Sequence, residues 1–330
     1  MRPVTAYVKP TNHCNVGCTH CYLPESIRAN SNRMDMATLE STALLLLQMA
    51  KRQNAPGIHV LWHGGEPLTV PLSWYREAGE VLDRLIPGHS QSIQTSLIPW
   101  RPAYAPLVHD RFAGEIGSSI DFTQRRIKGS VEAYQDLWMK KVEMARTNRI
   151  TVIPGTVPTR SEEMRGEEIM AWFEERQFMM FNIDRYNHFG GGDAKERPSN
   201  AGHARFLIGL FDAAMRRMKA HGHAPIVNVL TAGLKGVLFG LPGDRWGGSC
   251  QSDFIVIEPD GSTNSCPDRS SFETGFSNVA DGFAGFQSSP LRRKWIRIQQ
   301  YAHKRPYCET CENNHFCRSG CPITPNGFLD

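Results

Sequence analysis

The chain has 330 residues, enough for one large domain and a smaller one around a sizeable core, and its 40% apolar and 21% charged residues describe an ordinary soluble protein. Its net charge of +4 is dispersed apart from Arg292-Arg293-Lys294 and Arg216-Arg217, which argues against a nucleic-acid groove. No apolar run is long enough to cross a bilayer and the first ten residues hold no signal-peptide core, so no membrane partner and a cytoplasmic location are expected.

Val4 to Lys9 reads as a strand ended by Pro10, delivering the loop Thr11 to Tyr22 at its C-terminal edge. That loop carries Cys14, Cys18 and Cys21 in the spacing C-x3-C-x2-C. Three thiolates match a 4Fe-4S cluster short of one protein ligand, which leaves one iron open for chemistry. With His13 and His20 beside them, they also fit a structural zinc knot. Residues 22 to 35 read as irregular, Met36 to Arg52 as a helix, and Ile58 to Trp62 as a buried strand opening into His63-Gly64-Gly65-Glu66-Pro67. Helices are expected at Trp74 to Ile86, Tyr104 to Phe112, Val131 to Arg146, Glu162 to Arg176 and Ala201 to His221. Strands are expected at Ser90 to Thr95, Glu115 to Asp121, Ile150 to Thr156 and Phe178 to Asp184. About six β-α units in series imply a parallel sheet with right-handed crossovers, and such sheets gather their sites at the carboxyl ends of the strands.

The cysteine loop, with Tyr22 after its third thiol, resembles the signature of radical S-adenosylmethionine enzymes. The resemblance implies an α/β fold with a partial (β/α)6 barrel, S-adenosylmethionine held on the open iron, and its one-electron cleavage to a 5'-deoxyadenosyl radical. It further implies that Gly64, Gly65 and Glu66 bind the cofactor's amino group, and that Ser96 stands where relatives carry Asn. Ser119 would reach the ribose or carboxylate, and Arg126 would pair with the methionine carboxylate. His63 reads as a packed residue. Asp184 and Tyr186, at the end of the sixth strand, are candidate bases, with a salt-bridged strand end as the plain alternative. His188 to Pro198 reads as a mobile loop over the site.

Nine cysteines in a reducing compartment favour metal over disulfides, and they fall in two groups, 14 to 21 and 250 to 321. Cys250, the run Phe254 to Ile257, the Asp260-Gly261 turn and Cys266 read as a β-hairpin with a thiol at each end. After a helix from Leu291 to Tyr301 come Cys308, Cys311, Cys317 and Cys321. This pattern resembles the SPASM extension, which divides the chain into a barrel at 1-235 and an auxiliary-cluster domain at 236-330. By that resemblance Cys250, Cys266 and Cys321 hold one auxiliary 4Fe-4S cluster and Cys308, Cys311 and Cys317 a second. SPASM domains usually carry a seventh cysteine further on, so the candidate last ligand is Asp330, its terminal carboxylate, or a residue of a longer chain that continues past it.

The whole is similar to anaerobic sulfatase-maturating and peptide-modifying SPASM enzymes. It implies a radical oxidoreductase that modifies or cross-links a side chain of a ribosomal peptide or protein. An external reductant such as flavodoxin or ferredoxin would supply the electron. Many such peptide enzymes carry an N-terminal leader-binding domain; with the barrel expected from residue 4, none is expected here, which counts against a peptide substrate. The alternatives are oxidation or epimerisation of a small molecule such as an aminocyclitol or sugar, and a non-catalytic metal-binding scaffold.

Overall fold

In the computed structural model the described residues are 2–186, 192–241, 243, 253–268, 275–302, 306–318 and 320. The first half alternates strand and helix: β1 Val4–Thr11, α1 Glu25–Arg28, α2 Met36–Gln53, β2 Ile58–Gly64, α3 Leu72–Leu85, β3 Ser90–Thr95, α4 Ala105–Arg111, β4 Glu115–Ser119 and α5 Val131–Thr147. It continues through β5 Thr151–Thr156, α6 Gly166–Glu175, β6 Met180–Ile183, α7 Asn200–His221, β7 Ile226–Val227 and α8 Asn228–Phe239. The C-terminal part adds β8 Phe254–Ile257, β9 Thr263–Asn264, α9 Gly282–Ser288, α10 Pro290–Ala302, α11 Pro306–Glu309 and α12 Asn314–Cys317.

Among the described residues these strands form one sheet in the order β7-β6-β5-β4-β3-β2-β1-β8-β9, parallel throughout except for β9. The sheet does not close, and with helices crossing between successive parallel strands it is a partial α/β barrel. Strands covered on both faces read as apolar runs, and β1 and β2 bury Val4, Ala6, Val8, Val60 and Trp62 completely. Asp35 and Ser130 cap α2 and α5 through the backbone N–H groups of Thr38 and Ala133, which fixes where those helices start.

Three expectations are corrected, and one pair of elements is new. Pro10 does not end β1; the strand runs to Thr11, with a register shift against β2 between Val8 and Thr11, where a residue lacking an N–H can be accommodated. Residues 22 to 35 include the short helix α1. Glu162 to Arg176 is not one helix: a 3-10 turn at Arg160–Glu162, closed by a capping box with Thr159, precedes α6. The pair β7 and α8 has no forecast in the sequence.

The Asp260-Gly261 hairpin forms, with Gly261 at φ +82° and β9 antiparallel to β8. Its first strand also pairs in parallel with β1, Thr5 facing Phe254 and Val8 facing Ile257, so the C-terminal segment extends the barrel sheet. The expected division at 235/236 falls within α8. No helix among the described residues is long and apolar enough to cross a membrane.

Candidate active site

The cysteine loop leaves β1 beside the end of β2, where two glycines admit its backbone. Gly64 has φ +123°, and a Cβ there would lie 2.4 Å from Thr11 O. At Gly65 a Cβ would lie 2.2 Å from His13 O and 2.3 Å from Asn12 O. In that space Gly65 N–H donates to Thr11 O at 3.1 Å and Glu66 N–H to His13 O at 2.7 Å. The glycines therefore let two backbones approach closely, and the loop is stitched to the strand without side chains.

Glu66 is buried, and its carboxylate takes four donors. Oε1 accepts from Thr95 Oγ1 at 2.5 Å and Leu68 N–H at 3.0 Å; Oε2 accepts from Ser96 N–H at 2.7 Å and from Ser96 Oγ. A carboxylate offers about four lone-pair sites, so these partners saturate it and tie the ends of β2 and β3 together. Ser96, by both its N–H and its hydroxyl, thus serves Glu66. Ser119 accepts from Gln94 Nε2 at 3.0 Å.

Electrostatics centre on Asp121, fully buried beyond the end of β4. It accepts from Arg125 Nε at 2.6 Å, Val157 N–H at 2.8 Å and Thr156 Oγ1 at 3.2 Å, with His20 Nε2 at 3.6 Å. Although burial opposes its charge, Arg125, His20 and these donors hold its carboxyl below the usual range. Fixed in this way, Arg125 directs Nη1 to Cys18 Sγ at 3.3 Å. Arg126, expected here, is exposed and does not line the site; its neighbour Arg125 does. Burial pushes Cys14 up to about 12 and Cys18 to about 11, the latter despite Arg125.

Behind the loop, Tyr22 Oη donates to Gly64 O at 3.1 Å, and its ring lies 6.4 Å from His63. His63 stacks on Tyr7 at 5.2 Å and accepts from Gly64 N–H at Nδ1, which fixes a neutral tautomer with its proton on Nε2. Burial, aided by Lys9 and Arg125, lowers His63 to about 4. His20 falls to about 4 by burial, and its Nδ1 is buried with no hydrogen-bond partner among the described residues. Sequence reading weighed His20 only as a zinc ligand, and the signal it missed was its position between two thiols.

Most of these groups, though not Asp121, border one cavity of about 560 Å³. Its walls include Cys14, Cys18, Cys21, Tyr22, Gly64, Gly65, Glu66, Ser96, Ser119, Arg125 and Asp184, and also Cys266 from the C-terminal hairpin. Tyr186 is not among them: its hydroxyl donates to Asp193 O at 3.1 Å, and burial raises it to about 12. Of the other C-terminal thiols, Cys308 is buried, Cys317 half-buried and Cys311 exposed. Cys250, Cys321, Asp330 and part of the expected loop, 187–191, lie outside the described residues. The described part of that loop, Gly192 to Pro198, includes a turn held by Arg160 N–H on Glu196 O at 2.7 Å.

No protein-family model matches the chain. The serine-type anaerobic sulfatase-maturating enzyme of Klebsiella aerogenes is 23% identical over 335 residues, covering 95% of this chain and 78% of that protein. An uncharacterised protein of Archaeoglobus fulgidus is 36% identical over 66 residues, a match that spans 20% of this chain and only 15% of that relative. Among solved structures, anSMEcpe with bound AdoMet and Cp18Cys peptide superposes with a TM-score of 0.83 at 18% identity, covering 99% of this chain and 91% of that one. Streptococcus suis SuiB bound to its precursor peptide SuiA gives a TM-score of 0.70 at 15% identity, covering 97% and 72%. The resemblance to radical S-adenosylmethionine enzymes of the SPASM type is borne out.

Among the described residues no three His, Cys, Asp or Glu side chains stand close enough to hold a metal ion as placed, but the donor types match the iron-sulfur group of radical S-adenosylmethionine enzymes. Cys14, Cys18 and Cys21 are free thiols on one cavity wall, and the loop that carries them is fixed by backbone bonds. A buried guanidinium at Cys18 is also suited to a negatively charged, thiolate-ligated group.

Proposed function

We propose that this protein is a radical S-adenosylmethionine enzyme of the SPASM type that oxidatively modifies or cross-links a side chain of a ribosomal peptide or protein. The observation that carries the reading is the shared cavity, which brings the three N-terminal thiols, the Gly64-Gly65-Glu66 turn, Asp184 and Cys266 together. A 4Fe-4S cluster on Cys14, Cys18 and Cys21 would, with S-adenosylmethionine and an electron from flavodoxin or ferredoxin, supply a 5'-deoxyadenosyl radical that removes a hydrogen atom from substrate. Cys250, Cys266 and Cys321 would hold one auxiliary cluster and Cys308, Cys311 and Cys317 a second, which would accept the electron that the substrate radical loses.

This chain's own residues do the rest. The saturated Glu66 carboxylate holds the cavity floor rigid, and Arg125 offers positive charge at Cys18. Asp184 is the candidate base, since it borders the cavity while the Tyr186 phenol is committed to Asp193 O. A peptide substrate is favoured because anSMEcpe and SuiB are the neighbours that hold peptides. Anaerobic reconstitution with a candidate peptide tests the reading. The expected result is about twelve irons per chain from three four-iron clusters, together with a peptide product lighter by two hydrogens. Zinc in place of iron, or S-adenosylmethionine left intact, would overturn it.

A further inference from the structure

Lys9, near the end of β1, has a wholly buried side chain whose Nζ donates to Glu258 Oε1 at 2.7 Å. Glu258 follows β8 directly, and its second oxygen accepts from Asn12 Nδ2 at 2.9 Å. The ammonium also lies 5.2 Å from the centre of the Tyr22 ring. One carboxylate therefore gathers the end of β1, the root of the cysteine loop two residues before Cys14, and the hairpin that runs on to Cys266. The backbone of Glu258 closes that hairpin as well, donating to Ser262 O and accepting from Gly261 N–H, each at 2.9 Å.

A buried ion pair is a poor source of stability, because a well-packed apolar pair of the same volume often does as well or better; its best-attested use is to fix register. Here the pairing of β1 with β8 joins the two segments, and because Ile255, Val256 and Ile257 are all wholly buried, β8 is apolar on both faces and its own pattern does not mark one register from the next. Only one register lets Glu258 meet Lys9 and Asn12 together. We propose that the Lys9–Glu258–Asn12 network is a positioning clasp that fixes the Cys266 hairpin against the Cys14–Cys21 loop and so sets the spacing of their thiols across the shared cavity. Its consequence for turnover rests on the proposed function; its consequence for register does not.

Hydrogen exchange on the metal-free protein tests the register, using Lys9→Met, Glu258→Gln and the double variant. Each single variant should exchange faster in both 12–22 and 258–266, with the double variant no worse than Lys9→Met. In reconstituted enzyme, deoxyadenosine should still form while the amount made per product rises about tenfold, the scale of a slight misplacement. A change confined to one segment, additive single effects, or an unchanged ratio in folded variant would overturn the clasp. Should Lys9→Met fail to fold, Glu258→Gln, which keeps the side chain's shape, carries the same readouts. If the wild type makes no deoxyadenosine, the functional reading falls, and the exchange cycle still decides the clasp.

Discussion

The loop bearing Cys14, Cys18 and Cys21 is held by the barrel from several sides, whereas Cys308, Cys311 and Cys317 stand on or beside two four-residue helices. The first region takes its shape from backbone bonds to β2 and from Thr19 N–H on Gln124 O at 3.1 Å. Helices as short as α11 and α12 gain little from their own hydrogen bonds. One visible anchor of α12 is Phe316, set against Gly236 of α8, where a Cβ would come within 2.9 Å of the ring. On the proposed function, the difference leads us to expect that the loop at 11–22 keeps its shape without metal, while the segment at 306–318 gains order on ligation.

The contrast can be broken most severely at Gly65. Gly65→Ala puts a methyl on the carbonyls of Asn12 and His13, at a cost on the order of 3 kcal/mol. Iron analysis should show about four fewer atoms per chain, with the C-terminal complement retained. Asp184→Asn should leave deoxyadenosine formation intact and lower product yield about a hundredfold, the usual worth of a general base. Removing iron with a chelator sharpens the contrast: exchange should accelerate across 306–318 and change little across 11–22.

An effect absent at neutral pH and confined to acid lies at His63, which is held neutral near pKa 4 against 6.5 when unfolded. Between those pH values the unfolded chain binds a proton that the native one refuses, so stability is lost as pH falls through that window. The loss is up to about 3 kcal/mol, and His63→Gln should flatten the decline in a metal-free melting series.

Much of this architecture was legible because strand and helix periods alternate cleanly: β3 has the expected bounds, and α2 and α5 differ by one residue at the C-terminal end. Both cysteine patterns were legible as well. What escaped depends on contacts distant in sequence. Helix α8 was missed because Gly233 and Gly236 weaken its local signal and it has no side-chain N-cap; Gly236 is there to admit Phe316. The arginine at the site is Arg125, one residue from the expected Arg126, because Asp121 selects which guanidinium turns inward. The meeting of Lys9 with Glu258 spans 249 positions, and no local pattern announces it.

The most direct test is deoxyadenosine formation from S-adenosylmethionine by the anaerobically reconstituted protein, run beside Cys18→Ala. The wild type should form it under one-electron reduction, and Cys18→Ala should form none while keeping the native circular dichroism spectrum. Equal formation by both, or none by either with iron fully loaded, would contradict a radical chemistry centred on the N-terminal thiols.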